Sequence, residues 1–186
     1  MRRFDADRID DAADLLRAGG VLAYPTEAVF GLGCDPDNLT AFEKIFTLKQ
    51  RPPEQGVLLI AASFEQIEDW IEAPHDAIAR AQATWPGPYT WIFPRSRRVP
   101  EWVAGGHSGI ALRVTAHETA AALCQAFGGP IVSTSANIHG QPPARSAEEC
   151  EAMFGSALDG ILNGETGGLS RPTPIADAVT GAIIRA

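Results

Sequence analysis

The sequence predicts one α/β domain, spanning residues 1–186, in which helices flank a mixed sheet. Helical periodicity alternates along the chain with short apolar segments that are typical of buried strands. With 186 residues and 45% hydrophobic content, the chain can bury one well-formed core but is short for two. Neither an internal repeat nor a low-complexity stretch breaks the alternation, so repeat and disordered architectures are not expected.

The first helix and strand follow directly from the N-terminal pattern. Residues 7–18 carry an apolar stripe at helical spacing, and the glycine pair at 19–20 ends the helix. Residues 21–24 are apolar and predict a buried strand that Pro25 ends. The functional residues of this region are therefore expected just after Pro25, where the strand gives way to a loop.

A second helix and strand come next. Thr40 and Glu43 form a possible capping box that opens a helix through residue 48. The proline pair at 52–53 prevents its continuation, because proline cannot donate the helical hydrogen bond. The unbroken apolar run at 57–62 is typical of a strand buried on both faces.

The second half of the chain repeats this alternation. Ser63 with Gln66 can cap a helix, and Trp85 to Pro88 predicts a rigid turn before a strand. After the short strand at 131–132, a polar loop is expected from Ser133 onward. The other predicted elements are helices at 74–83, 116–127 and 146–154, strands at 89–93 and 110–114, and a final strand or hairpin at 176–184.

Composition limits the functional classes. Apolar runs stay below the 18 residues of a membrane span, and the acidic N-terminus has no apolar signal region. Cys34, Cys124 and Cys150 are scattered without metal-site spacing, so a reducing, cytoplasmic location is expected. The net charge of −8 and the presence of only two lysines disfavour a protein dedicated to coating RNA.

Two short polar segments carry the strongest functional signal. Lys49 and Arg51 place two cations after a helix, and residues 133–137 place three hydroxyls and an amide after a strand. Cations suit phosphate oxygens, whereas hydroxyls and amides suit a sugar, a base or a second polar substrate. If the fold brings the segments together, they form a site for a nucleotide and a small polar partner. Each segment alone could also be a helix C-terminus or a self-satisfied turn.

Arg113 and Thr26 add to this pattern. Arg113 lies inside an apolar strand, where a guanidinium needs a partner or a ligand because an unpaired buried charge is costly. Thr26 follows a predicted strand and could equally cap a helix, and Glu27 is interpreted as a local charge. The ends of several strands thus carry polar groups, which is where ligands bind in α/β sheets.

Familiar catalytic signatures are missing from the sequence. Gly31-Leu32-Gly33 lacks the third glycine of a dinucleotide fingerprint and the Gly-Lys of a P-loop. The chain has no G-x-S-x-G elbow, and its four histidines have no metal-ligand spacing. The residues alone therefore indicate a nucleotide or anionic-substrate site whose reaction they do not specify.

Six segments together resemble the YrdC/TsaC family of threonylcarbamoyl-AMP synthases, in its short, single-domain form. The resemblance covers nearly the whole chain and implies an open, twisted sheet with a concave active-site face. It implies that L-threonine, bicarbonate or CO2, and ATP give threonylcarbamoyl-AMP and pyrophosphate, for modification of the adenosine next to the tRNA anticodon. The segments are AYPTEAVFGLGCD (23–35), LKQRP (48–52), WPGP (85–88), ALRV (111–114), STSAN (133–137) and GETGG (164–168).

The resemblance also implies roles for individual residues. For ATP, Lys49 and Arg51 are expected to hold the phosphates, and the remaining contacts are Ser135, Asn137 and Arg185. Threonine is expected to contact Thr26, Arg113 and Ser133, with Arg113 pairing its carboxylate. The chain departs from longer relatives at Ile60, Gly109 and Pro143, where those relatives often carry a histidine or a hydroxyl residue.

The implied chemistry needs no covalent nucleophile and no protein-built metal site, and Mg²⁺ is expected to bind through the ATP phosphates. Expected partners are the three substrates, tRNA or RNA, and the tRNA threonylcarbamoyl transferase proteins that use the product. Two alternatives remain open: a double-stranded RNA or tRNA-binding module without turnover, and a related carbamoyl-transfer enzyme. The first would be favoured by clustering of five cations on one face: Lys49, Arg95, Arg97, Arg98 and Arg113.

Overall fold

A computed structural model of the protein describes residues 1–51, 56–170 and 173–186. Its strands are β1 (Arg2–Phe4), β2 (Leu22–Pro25), β3 (Phe30–Gly33), β4 (Leu58–Ala61), β5 (Thr90–Pro94), β6 (Gly109–Val114), β7 (Ile131–Ser135), β8 (Gly160–Leu162), β9 (Ile175–Asp177) and β10 (Ile183–Arg185). Its α-helices are α1 (Ile9–Arg17), α2 (Leu39–Lys49), α3 (His75–Gln82), α4 (Glu101–Ala104), α5 (Glu118–Phe127) and α6 (Ala147–Phe154).

The described strands form one mixed sheet in the order β1-β8-β2-β3-β7-β4-β6-β5-β9-β10. The sheet contains both parallel pairs, such as β4 with β6, and antiparallel pairs, such as β2 with β3. The predicted α/β class, with a twisted mixed sheet between helices, is therefore confirmed. Among the described residues, no helix is both long enough and apolar enough to span a membrane.

Helices cover both faces of the sheet because side chains alternate along each strand. On β2, Leu22 and Tyr24 are buried with Leu16 of α1 and Leu123 of α5. Ala23 lies on the opposite face, in the cluster that contains Phe42 of α2. The sheet is thus covered by α1 and α5 on one face and by α2 with its neighbours on the other.

Helix α2 begins one residue earlier than its predicted cap. Asn38 has an extended backbone, and its side chain accepts a hydrogen bond from the Ala41 N–H at 3.0 Å. The predicted capping box of Thr40 and Glu43 is therefore wrong, because Asn38 already provides the N-cap acceptor. The helix ends at Lys49, and Gln50 turns the chain with a left-handed φ of 50°. The predicted role of Pro52 and Pro53 lies outside the described residues.

The segment after β4 also differs from its prediction. Phe64–Gln66 is a single 3₁₀ turn, and Ser63 makes no side-chain capping bond. Instead, the side chain of Gln66 accepts from the Ala62 N–H at 2.8 Å and donates to the Cys124 carbonyl at 3.1 Å. The polar side chain therefore ties β4 to α5 instead of opening a helix.

Strand β7 continues through residues that were predicted to form a loop. Ser133 pairs with Leu58 of β4, and Ser135 pairs with Gly31 of β3. β3 itself was not predicted, because glycines interrupt its apolar pattern. Gly33 is required there, since an added Cβ would lie 2.7 Å from both the Tyr24 ring and the Val132 carbonyl oxygen. Long-range pairing on both sides thus makes a strand of a hydroxyl-rich segment.

Candidate active site

A cavity of about 1060 Å³ lies beside the strands that carry the predicted polar residues. Its volume is at the upper end of the range for small-molecule sites, roughly 300–1,000 Å³. Residues from β3, β4, β5, β6, β7, β9, β10 and α4 contribute to its wall. The predicted site residues in this wall are Thr26, Arg51, Arg113, Ser133, Ser135 and Arg185.

Lys49 joins the two polar segments but does not line the cavity. Its side chain is buried, and its Nζ lies 3.5 Å from Ser135 Oγ and 3.0 Å from Asn137 Oδ1. Nζ also donates to the backbone carbonyls of Ser135 and Asn137. Burial, together with the nearby positive charge of Arg51, lowers the pKa of Lys49 to about 8. The segments therefore converge, and Lys49 lies behind the wall that Ser135 forms.

Asn137 is the second predicted residue that does not line the cavity. Its Oδ1 accepts from Ser135 Oγ at 2.6 Å, and its Nδ2 donates to the carbonyls of Ile138 and Gln141 at 3.1 and 2.9 Å. The His139 N–H donates in turn to the Lys49 carbonyl at 2.8 Å. These bonds fix the end of β7 against the end of α2 and orient Ser135 toward the cavity.

Arg51 and Arg185 supply cations to the cavity wall. The Arg51 guanidinium lies 5.8 Å from the centre of the Phe46 ring, and burial lowers its pKa from the ordinary value. Arg185 donates to the Thr173 carbonyl at 2.8 Å. Arg145 and His107 line the same cavity, and Asp177 is the carboxylate among its described lining residues. The cavity is therefore electropositive although the whole chain carries a net charge of −8.

Arg113 is buried in the wall and paired with a carboxylate that the sequence did not single out. Its Nη1 donates to Glu27 Oε2 at 3.1 Å, and both side chains are less than a tenth exposed. Its Nε and Nη2 donate to Thr90 Oγ1 at 3.1 and 2.9 Å, and Nη2 also donates to Thr173 Oγ1. Burial lowers the pKa of Arg113 and the Glu27 charge opposes that shift, so the guanidinium stays protonated.

Glu27 is therefore a partner in a buried ion pair and not the local charge that the sequence indicated. Its second oxygen accepts from Thr115 Oγ1 at 2.6 Å. The signal that could have identified it was Arg113 itself, because a guanidinium in an apolar strand requires a carboxylate or a ligand. Thr90 and Thr173 gave no comparable signal, since hydroxyl residues occur throughout the chain.

Thr26 and Ser133 lie beside this pair. Thr26 Oγ1 donates to the Val29 carbonyl at 2.7 Å, which holds the tight turn between β2 and β3. Ser133 is buried near the phenol of Tyr24, whose pKa is raised by burial. Both residues line the same cavity as Arg113, so its wall presents a guanidinium and hydroxyl residues.

The positions at which this chain departs from longer relatives fall in two different places. Gly109 and Pro143 line the cavity, whereas Ile60 does not. Ile60 is fully buried in the core beneath α1 and α5, and its carbonyl accepts from the Cys124 thiol at 3.5 Å. The change at Ile60 therefore affects packing behind the site, and the other two changes affect its surface.

A protein-family comparison identifies the chain's relatives. The Sua5/YciO/YrdC family, whose description reads "Telomere recombination", matches residues 14–186. The chain belongs to this family. Two curated family members are named threonylcarbamoyl-AMP synthase. The protein of Stenotrophomonas maltophilia is 55% identical over 180 residues, which are 95% of this chain and 97% of that protein. The protein of Coxiella burnetii is 52% identical over 179 residues, with 95% and 96% coverage.

Solved structures of the Sua5/YciO/YrdC family share the fold. P. abyssi Sua5, solved in complex with L-threonine, superposes with a TM-score of 0.88 at 34% identity and covers 95% of this chain. E. coli YciO superposes with a TM-score of 0.83 at 25% identity and covers the whole chain. The present chain spans about half the length of the Sua5 chain, 53%, and 96% of the YciO chain.

Proposed function

We infer that this chain is a threonylcarbamoyl-AMP synthase, an enzyme that makes threonylcarbamoyl-AMP and pyrophosphate from L-threonine, bicarbonate or CO2, and ATP. The observation that carries this inference is the 55% identity to a protein of that name over 97% of its length. The convergence of the cationic and hydroxyl-rich segments at one cavity supports it independently. The product then serves modification of the adenosine next to the tRNA anticodon.

The threonine site is proposed at Arg113. Its guanidinium can pair the substrate carboxylate, since the four hydrogen bonds to described residues use fewer than the five N–H groups it carries. Thr26 and Ser133 line the same region and offer hydroxyl groups to the amino acid. The complex of P. abyssi Sua5 with L-threonine supports placing an amino-acid site in this fold.

The ATP site is proposed along the adjoining part of the wall, which meets the threonine site where Thr173 contacts both Arg113 and Arg185. Arg51 and Arg185 bring positive charge to the phosphates, and Ser135 offers a hydroxyl. Lys49 and Asn137 belong to this site through Ser135, which they both contact. For Lys49 to contact a phosphate oxygen directly, its ammonium must give up its hydrogen bond to the carbonyl of Ser135 or Asn137 and donate to the phosphate instead.

The proposed reaction requires the protein to neutralise charge, and it does not require a nucleophilic side chain. The threonine amine adds to bicarbonate with loss of water to give a carbamate, and a carbamate oxygen attacks the α-phosphorus as pyrophosphate leaves. Because the carbamate and ATP are both anions, the arginines of the cavity lower the cost of bringing them together. The buried Arg113 orients the amino acid so that its amine faces the ATP subsite.

We propose that Mg²⁺ enters with ATP and is held through the phosphates. Within the described ranges, no group of three or more His, Cys, Asp or Glu side chains is placed to hold a metal ion. The oxygen donors among the described cavity lining are mainly hydroxyls, with one carboxylate, Asp177, and such a sparse set suits a hydrated ion carried by its nucleotide. We further propose that the chain acts in the cytoplasm as one domain and passes its product to tRNA threonylcarbamoyl transferase proteins.

The RNA-binding alternative depends on an open basic face, which the ion pairs of the described residues disfavour. Arg95 pairs with Glu101 and Arg98 pairs with Asp37, while Lys49 and Arg113 are buried. Four of the five cations whose clustering would have favoured this alternative are thus paired or inaccessible to a phosphate backbone.

The decisive experiment is pyrophosphate release from ATP and bicarbonate with each amino acid added singly. Release that requires threonine supports the synthase. Release that does not depend on which amino acid is added supports a related carbamoyl-transfer enzyme. Absence of pyrophosphate release supports a binding module. Parallel reactions without bicarbonate or with EDTA test the roles proposed for bicarbonate and Mg²⁺, both of which are expected to be required.

A further inference from the structure

The carboxylate of Glu27 lies behind the cavity wall and is held at both oxygens. Oε2 accepts from Arg113 Nη1 at 3.1 Å, and Oε1 accepts from Thr115 Oγ1 at 2.6 Å. The His117 N–H donates to the same Thr115 oxygen at 3.1 Å, which connects the pair to the start of α5. Glu27 is 7% exposed and does not line the cavity, whereas Arg113 does. The carboxylate is therefore fixed from behind and does not reach a ligand.

The other contacts of Arg113 are weaker constraints on its orientation. Nε and Nη2 donate to Thr90 Oγ1, and Nη2 donates to Thr173 Oγ1. Both partners are neutral hydroxyls that can rotate, so they accept a guanidinium in more than one orientation. All four hydrogen bonds have the charged guanidinium as donor, but only Glu27 adds the attraction of an opposite full charge, in a buried setting where that attraction is weakly screened. Among the described contacts, Glu27 therefore contributes most to fixing the guanidinium plane.

We propose that Glu27 is a positioning residue for the amino-acid substrate: it holds Arg113 so that the remaining N–H of Nη1 meets the substrate carboxylate. This inference rests on the proposed function, since it presumes that Arg113 binds threonine. Because Glu27 also offsets the positive charge of Arg113, the pair is nearly neutral as a whole. Recognition then depends on the direction of the guanidinium N–H groups, which a small anion without matching geometry cannot exploit.

The test compares two Glu→Gln substitutions that each break an arginine pair. Glu27→Gln keeps the size and one acceptor but removes the charge that orients Arg113. We expect the KM for threonine to rise about tenfold or more, with kcat and the KM for ATP changing less than about twofold. Glu151→Gln removes the carboxylate that pairs with Arg3, away from the cavity, and should leave all three constants unchanged.

A double-substitution cycle separates positioning from a purely structural role. In an Arg113→Gln background, Glu27→Gln should not raise the threonine KM further, because the residue through which Glu27 acts is gone. An added increase in that background, or an unchanged threonine KM in the Glu27→Gln single variant, overturns the proposal. If Glu27→Gln does not fold, Thr115→Val is used, which should raise the threonine KM at least about twofold. An unchanged threonine KM in Thr115→Val also overturns the positioning role of Glu27.

The proposed function and the positioning role fail in distinguishable ways. Wild-type protein that releases no pyrophosphate with threonine overturns the synthase assignment and the positioning role with it. Wild-type protein with threonine-dependent release and variants with unaltered threonine KM overturn the positioning role alone.

Discussion

Lys49 shows how a residue's surroundings set its chemistry. A lysine at the end of a helix is ordinarily solvated, but Lys49 is buried with its ammonium among oxygens of Ser135 and Asn137. Removal from water disfavours the charged form, and the neighbouring charge of Arg51 acts in the same direction. The pKa of about 8 means that Lys49 is mostly charged at pH 7 and loses its proton within an accessible pH range.

The affinity for ATP is expected to fall as pH rises through about 8, because Lys49 then loses its charge. ATP binding measured by calorimetry between pH 7 and 9.5 checks this. Lys49→Arg provides the control, since arginine stays charged throughout and should remove the dependence. The same pH profile in both proteins would contradict the assignment.

The contribution of Lys49 to the free energy of unfolding changes with pH in the direction opposite to its effect on ATP affinity. Its folded pKa of about 8 lies below the ordinary lysine value of 10.5, so the unfolded chain binds more protons between these two values. The contribution of Lys49 to the free energy of unfolding therefore increases from pH 8 to 10.5. Below pH 8, the full cost of burying the charged ammonium destabilises the folded protein. Lys49→Met keeps all other titrating groups, so the difference in unfolding free energy between the two proteins, followed as a function of pH, isolates the contribution of Lys49.

Arg51 supports a prediction that separates binding from folding. It lines the cavity, so Arg51→Ala should lower kcat/KM for ATP at least about tenfold by removing a charge-assisted contact with phosphate. Arg97→Ala is the matched control, because Arg97 is exposed and does not line the cavity. Steady-state kinetics and thermal melting test both variants. Wild-type kinetics in Arg51→Ala would reject a phosphate-binding role.

At the scale of elements, the junction of α2 and β7 organises the ATP subsite. Helix α2 ends at Lys49, which contacts the end of β7, and the His139 N–H returns a bond to the Lys49 carbonyl. A second junction lies before β9, where Thr173 accepts from Arg113 through its hydroxyl and from Arg185 through its carbonyl. Each proposed subsite is thus built where two elements that are distant in sequence meet.

The cap of α2 gives a direct test of the observed helix boundary. Asn38→Ala removes the side-chain acceptor for the Ala41 N–H and should destabilise the protein by about 1 kcal/mol. Thr40→Ala should cost much less, because Thr40 lies within the first turn and provides no cap. Urea unfolding measures both changes. A larger loss in Thr40→Ala would restore the capping box that the sequence predicted.

At the scale of the molecule, strands from both ends of the chain are interleaved in one sheet. β1 pairs with β8, and β5 pairs in parallel with β9, so N-terminal and C-terminal segments stabilise each other. The cavity lies among strands from both halves, which include β3, β6, β7 and β9. This interleaving supports the proposal that the chain folds as one domain.

One cooperative unfolding transition is therefore expected. Far-ultraviolet circular dichroism reports on the whole chain, whereas tryptophan fluorescence reports on the region around Trp70, Trp85, Trp91 and Trp102. Their midpoints in urea should coincide, with a reductant present for the free cysteines. Separate midpoints would show that the region containing the tryptophans unfolds as an independent unit.

Local sequence patterns specify the class of fold and most helices, because apolar spacing and glycine stops act within a few residues. They also point to some of the polar residues of the cavity, since a charge such as Arg113 is conspicuous among apolar neighbours. These local rules failed at Asn38 and at Ser133, where a nearby better cap and cross-strand pairing decided the outcome.

Long-range packing of the chain sets which polar groups meet. It pairs Arg113 with Glu27 and places Lys49 behind the cavity wall instead of in it. It also brings Thr173 into contact with both Arg113 and Arg185. These contacts join residues that are far apart in the chain, and their energies depend on burial and on distances of a few ångströms. No local pattern encodes either quantity, so several residues of the cavity wall could be predicted, whereas the contacts of Glu27, Thr90 and Thr173 and the geometry of the wall could not.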